Sequence, residues 1–296
     1  MLFGNNIHPM LDLSKIQRPV DLPQWEAPPV DEVAISVQFN DIPGLKVVHY
    51  GQLADRYQKL GLTQHEDQGA IPPQFEVFGK RVIPPQFQFQ AGIPLPRVWY
   101  MTEDRHRLVQ VQPDRFVYNW RKVEGAGKYP RLNDVLPEFW DRCQIFQAFL
   151  ADQGLPPLSV NQCELSYFNI IDVQEGETYH EAFARVFRFF NALGVADLSN
   201  GGSWEQDGGN LNLAYIVRSK DNTPLARLHS SVQVAERSNK QVIRFSLVFR
   251  APWTKSVGQE LVEFFALGRE AIVRLFDSMI TEQMHTQWGR SVSSGR

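Results

Sequence analysis

From Val33 to Phe39 the apolar residues Val33, Ile35, Val37 and Phe39 alternate with Ala34, Ser36 and Gln38, a period of two that predicts a strand with one buried face. The spacing then lengthens. Tyr50, Leu53, Tyr57 and Leu60 share one face of a short predicted helix that Gly61 stops. Residues 61–96 keep neither period and are rich in Pro and Gln. Within them Phe75–Phe78 and Gln86–Gln90 read as short edge strands, because the flanking prolines exclude a central place in a sheet. Three strands follow at Arg97–Met101, Arg107–Gln112 and Arg115–Lys122, joined by turns at Glu103-Asp104-Arg105-His106 and Pro113-Asp114. A helix over about 134–152 carries the stripe Leu136, Phe139, Trp140, Cys143, Phe146 and Leu150, with Pro137 in its first turn and Gly154 beyond its end.

The second half repeats this order. Cys163–Ile171 reads as a strand, and Tyr179, Phe183, Val186, Phe187 and Phe190 mark a helix. A glycine-rich loop leads to strands at Leu211–Arg218, Leu225–Ala235 and Val242–Phe249, with turns at Asp221-Asn222 and Ser238-Asn239. The last helix is expected over about 257–287, opened by a Ser256/Gln259 capping box, with Leu261, Phe264, Phe265, Ile272, Leu275, Phe276 and Met279 facing the core.

These elements predict an α+β fold of two duplicated β-α-β-β-β-α halves, an antiparallel sheet with helices on one face. The order of elements is like that of TATA-binding protein, an analogy of fold that carries no function. The expected organisation is an extended N-terminal arm at 1–29, halves at 30–158 and 159–289, and a flexible tail at 290–296.

Composition narrows the function classes. The 296 residues are 43% hydrophobic and 21% charged, with 20 Phe, enough for a substantial core. A net charge of −3 disfavours non-specific nucleic-acid binding, which favours a basic excess. Two cysteines, Cys143 and Cys163, read as buried free thiols in a reducing compartment. No secretory pattern opens the chain and no window approaches a membrane span, so a cytoplasmic location is expected.

One stretch is more specific: Arg107-Leu108-Val109-Gln110-Val111-Gln112-Pro113-Asp114-Arg115-Phe116-Val117-Tyr118-Asn119-Trp120-Arg121-Lys122, then Tyr129-Pro130-Arg131. With Val33–Phe39, Asn161–Tyr167 and the closing Trp288-Gly289, it resembles a sporadically distributed prokaryotic family that has no assigned activity. The resemblance covers about 30–289, and the arm at 1–29 departs from the family pattern. Patchy distribution implies mobile or defence-linked genes, antiviral defence and toxin–antitoxin-like operons among them.

The motifs that would announce catalysis fail. His180-Glu181-Ala182-Phe183-Ala184 begins like a zinc-protease helix, but Ala184 stands where the second histidine is needed. Gly125-Ala126-Gly127-Lys128 is too short for a phosphate-binding loop and lacks the following Ser or Thr. No histidine pair has ligand spacing, so no metal and no cofactor are expected. Glu205 and Asp207 lie between glycines in a loop that reads as a connector, or as a carbonyl-and-carboxylate cation site.

A sheet face is the better candidate. Alternation puts Phe116, Tyr118 and Trp120 on one side of their strand and Arg115, Asn119 and Arg121 on the other. Arg227 and His229, and Arg244 on the next strand, take the corresponding polar positions of the second half. Such a face is either solvated sheet surface or a rank of donors toward phosphate, carboxylate or an acidic peptide. Asp114 is a local partner for Arg115 if that arginine is structural. The leading expectation is a non-catalytic binding or adaptor protein, with a protein partner or acidic ligand favoured over nucleic acid and self-association open. An enzyme or small-ligand protein with its site between helices and sheet is the alternative, and nucleic-acid binding is the third.

Overall fold

The computed structural model describes residues 12–13, 16, 18–79, 95–123, 129–190, 196–197, 203–204, 209–253 and 259–292. In chain order the strands are β1 (Gln24–Trp25), β2 (Val30–Phe39), β3 (Gln64–Gln68), β4 (Arg97–Met101), β5 (Arg107–Gln112), β6 (Arg115–Arg121), β7 (Val160–Asp172), β8 (Ala196–Asp197), β9 (Ser203–Trp204), β10 (Asn210–Arg218), β11 (Pro224–Arg237), β12 (Lys240–Pro252) and β13 (Arg290–Ser291). The helices are α1 (Val47–Gln58), α2 (Leu132–Asp152), α3 (Tyr179–Val186), α4 (Gln259–Met279) and α5 (Glu282–Gln287). The fold is α+β, with a large antiparallel sheet and five helices among the described residues. No described helix is long and apolar enough to cross a membrane.

The chain divides into two units that do not follow the expected boundary at 158/159. Each is discontinuous: one holds 34–165 and 250–266 besides residues of the N-terminus, the other 18–33, 166–249 and 267–296. In the first unit the strand order outward from β2 is β6, β5, β4, β3. In the second, the order outward from β7 is β12, β11, β10.

The first unit is built on the aromatic side of β6. Phe116 stacks on Phe146 at 5.9 Å and meets Phe139 edge-on at 5.8 Å, both from α2, and Phe39 of β2 lies 6.2 Å from Phe146. Tyr57 of α1 packs on Tyr100 of β4 at 5.1 Å and donates its hydroxyl to the Arg142 carbonyl at 3.0 Å. Cys143 and Cys163 are buried free thiols. The second unit is equally aromatic: Phe276 of α4 stacks on Phe245 and on Trp288, each at 5.7 Å, with Trp25 edge-on at 5.0 Å. The N-terminal arm is therefore docked from residue 18 onward: Leu22 is buried, and β1 pairs with β13. Arg290 and Ser291 are thus strand residues, where a tail was expected.

Other differences have local causes. Phe75–Phe78 is not a strand; Gln86–Gln90, the Ser256 cap, Gly125–Lys128, and Glu205 with Asp207 lie outside the described residues. β3 was not anticipated, since Gln64-His65-Glu66-Asp67-Gln68 has no apolar alternation; it pairs antiparallel with β4 at the sheet edge. Helix α1 ends at Gln58, so Leu60 is exposed, although Gly61 takes the positive φ of +79° expected of a helix stop. Helix α2 begins at Leu132, which places Pro137 in its second turn. The last helix is two: Ile280 bridges to Phe187, and Thr281 caps α5 by accepting from the Met284 N–H at 3.4 Å. Leu275 is half-buried, unlike its stripe neighbours Ile272 and Phe276. The two-residue turn at Ser238-Asn239 holds φ of +52° and +61°, the paired left-handed conformation a tight hairpin needs.

Candidate functional site

In the first unit the polar side of the sheet is covered. Ser36, Gln38, Gln110, Gln112, Arg115, Asn119 and Gln162 are all buried, and the cover over part of them is the extended segment Ile71–Phe78, called the strap below. The strap forms no ladder with any strand: Pro72 and Pro73 lack the N–H groups a ladder requires. Side chains of the sheet bond its backbone instead. Gln112 of β5 accepts from the Ile71 N–H at 3.0 Å and donates to the Ile71 carbonyl at 2.9 Å. A carboxamide carries donor and acceptor in one plane, so it reproduces the two-bond ring a neighbouring strand would form. Gln38 of β2 accepts from the Gln74 N–H at 2.9 Å, and Gln162 of β7 accepts from the Glu76 N–H at 3.1 Å. Arg115 of β6 donates to the Pro72 carbonyl at 3.3 Å and to Gln38 Oε1 at 2.7 Å.

Charge enters at one end. Glu76 is the one buried side chain of the strap, and its carboxylate lies 3.3 Å from Arg250 of β12. Arg250 also meets Glu164 of β7 at 2.5 Å, so one guanidinium joins a carboxylate of the sheet and a carboxylate of the strap. Burial lowers the pKa of Arg115, Glu164 and Asp114 act to raise it, and Arg250 lowers it further. Ser36, Gln38, Gln74, Arg115, Gln162, Glu164 and Arg250 enclose a cavity of about 10 Å³, room for one water and too small for a metabolite.

The residues anticipated from sequence fall in two places. Arg115 and Asn119 are in the covered face. The expected Asp114 partner acts on Arg115 through its charge alone: its carboxylate accepts from Gln112, while the hydrogen bonds of Arg115 go to Gln38 and Pro72. Asn119 accepts from Gln110 at 2.8 Å, and Gln110 in turn accepts from Arg97 at 2.9 Å and from the Trp99 indole at 3.0 Å. Arg121 is half-buried, its guanidinium 4.6 Å above the Trp99 ring. In the second unit Arg227 and His229 are half-buried on β11, opposite Ile216 and Ala214 of β10, and Arg244 is exposed on β12. His180-Glu181 has a structural role: Glu181 accepts from the Thr178 N–H at 2.8 Å, and Thr178 accepts from the Glu181 N–H at 3.3 Å, a capping box that starts α3.

Sequence reading missed Gln38, Gln112, Gln162, Glu164 and the strap itself. The available signal was the recurrence of long amides at polar-side positions of three strands, where an exposed face more often carries charge or Thr. No family model, no curated protein and no solved structure matches the chain.

Proposed function

We propose that this chain is a non-catalytic binding or adaptor protein that holds an extended polypeptide against the polar sheet face of its first unit. One observation carries the reading: Gln38, Gln112, Arg115 and Gln162 direct their side chains at main-chain groups of an extended segment. Main-chain groups are common to every polypeptide, so such a face recognises an extended conformation with little demand on sequence. The enzyme or small-ligand alternative gains nothing from the 10 Å³ cavity at this face. A displayed library of extended peptides, panned on the chain with residues 70–78 replaced by a Gly-Ser stretch and on the same chain carrying Gln38→Ala and Gln162→Ala, tests the reading. Peptides held by the first and lost by the second are the expected result. A library without binders, or binders indifferent to both substitutions, overturns it.

The same reading includes internal duplication on a plan like that of TATA-binding protein. The matching outward orders β2-β6-β5-β4 and β7-β12-β11-β10 support it. Superposition of 30–154 on 160–289 in an experimental structure tests it, and meanders that fail to align would count against it.

A further inference from the structure

The strap inverts the usual preference of a docked segment. Phe75 is 58% exposed and Val77 48% exposed, while Glu76 between them is 5% exposed. Burying an ionised carboxylate is costly and burying a phenylalanine is favourable, so a segment selected only to cover the sheet would be turned the other way. The receiving surface explains the orientation. It offers Arg250 to a carboxylate, and amides and a guanidinium to the backbone on either side. Ile71 and Phe78 are half-buried at the two ends of the strap, while Phe75 and Val77, on either side of the buried carboxylate, are exposed.

We infer that this face is a binding site for an extended acidic segment of a partner protein, and that Ile71–Phe78 occupies it in place of that ligand, with Glu76 at Arg250 marking the position of the ligand's Asp or Glu. This rests on the binding function proposed above and adds its ligand class and its competitor. The ligand requirement that follows is an extended stretch with one carboxylate aimed at the sheet. The residues on either side of that carboxylate are loosely constrained, as Phe75 and Val77 are both exposed. A partner segment displaces the strap by exchanging equivalent bonds, so the contest turns on local concentration and on contacts outside the face.

The test uses a fluorescein-labelled peptide of the strap sequence, Gly69 to Gly79, and the full chain with residues 70–78 replaced by a Gly-Ser stretch of equal length. Circular dichroism and the melting midpoint establish that the variant is folded. Fluorescence anisotropy is expected to show the peptide binding the variant at least about ten-fold tighter than it binds the wild type. A peptide with Gln in place of Glu76 should bind about ten-fold more weakly, and Arg250→Gln in the variant should erase that difference. Should the replacement prevent folding, hydrogen exchange of the wild type reads the same contest: excess peptide should speed exchange at the Ile71, Gln74 and Glu76 amides. A folded variant that ignores the peptide, equal binding of the Glu and Gln peptides, or strap amides unmoved by excess peptide would overturn the inference. Library peptides that bind wild type and strap-replaced protein alike would overturn it while leaving the proposed binding function standing.

Discussion

Glu76 and Arg250 meet at 3.3 Å, with side chains 4% and 14% exposed, beneath a segment that leaves Phe75 exposed. Arg250 is shared with Glu164 at 2.5 Å, so its removal strands two carboxylates in a largely dry place. Breaking a buried pair from one side leaves an uncompensated charge. Arg250→Ala is therefore expected to lower stability by about 3 kcal/mol, read by chemical denaturation. Phe75→Ser, on the same strap but facing water, should change it by less than about 0.5 kcal/mol.

Gly268 of α4 packs directly against Phe249 of β12. A Cβ there would stand 2.7 Å from Cδ1 of Phe249, a fully buried ring. In an exposed helix, Gly→Ala would stabilise by about 1 kcal/mol. Here the overlap with a packed aromatic reverses the sign, and Gly268→Ala should destabilise by about 1–3 kcal/mol. A raised melting midpoint would show that the ring has room to move.

Phe276 holds three aromatic partners, Trp25, Phe245 and Trp288, while its neighbour Leu275 is half-buried. Phe276→Ala should cost about 3–5 kcal/mol. Leu275→Ala should cost clearly less, and equal costs would mean that the aromatic cluster contributes nothing beyond ordinary burial.

Glu177 and Arg185 form an ion pair at 2.6 Å with side chains 11% and 10% exposed. Burial pushes the Glu177 carboxyl up, but its bonds to Arg185 and to the Gln174 N–H outweigh that, leaving its pKa below the ordinary value of 4.5. A carboxyl depressed on folding adds stability that is fully present above its unfolded pKa and disappears as pH falls through its folded value. The stability gap between wild type and Glu177→Gln should thus be constant near neutrality and close on acidification below about 4.5. A gap that widens on acidification would contradict this sign.

Much of this fold was legible because alternation and helical stripes answer to one core. Spacing alone puts Phe116, Tyr118 and Trp120 on one side of their strand without saying which side the helices cover, and Phe116 meets Phe139 and Phe146 of α2. The complementary statement about Arg115 and Asn119 was only half right: they do share the opposite side, but that side is buried in the first unit. A covering segment held through its backbone leaves no period in its own sequence, so Ile71–Phe78 read as an edge strand or a loop. β3 escaped for a related reason, since an edge strand of five polar residues is specified by its neighbour β4. The break between α4 and α5 depends on Ile280 bridging Phe187, a contact that helical periodicity does not register.

The central claim is that side chains of the sheet hold an extended backbone, and residue-resolved amide hydrogen exchange tests it most directly. In the wild type the Ile71, Gln74 and Glu76 amides should be protected although the strap belongs to no ladder, because Gln112, Gln38 and Gln162 accept from them. Gln112→Ala should then release Ile71, Gln38→Ala should release Gln74, and Gln162→Ala should release Glu76, with the amides of β5 and β6 unchanged. Strap amides that exchange at the rate of an unstructured peptide in the wild type, or that keep their protection in all three variants, would contradict the account.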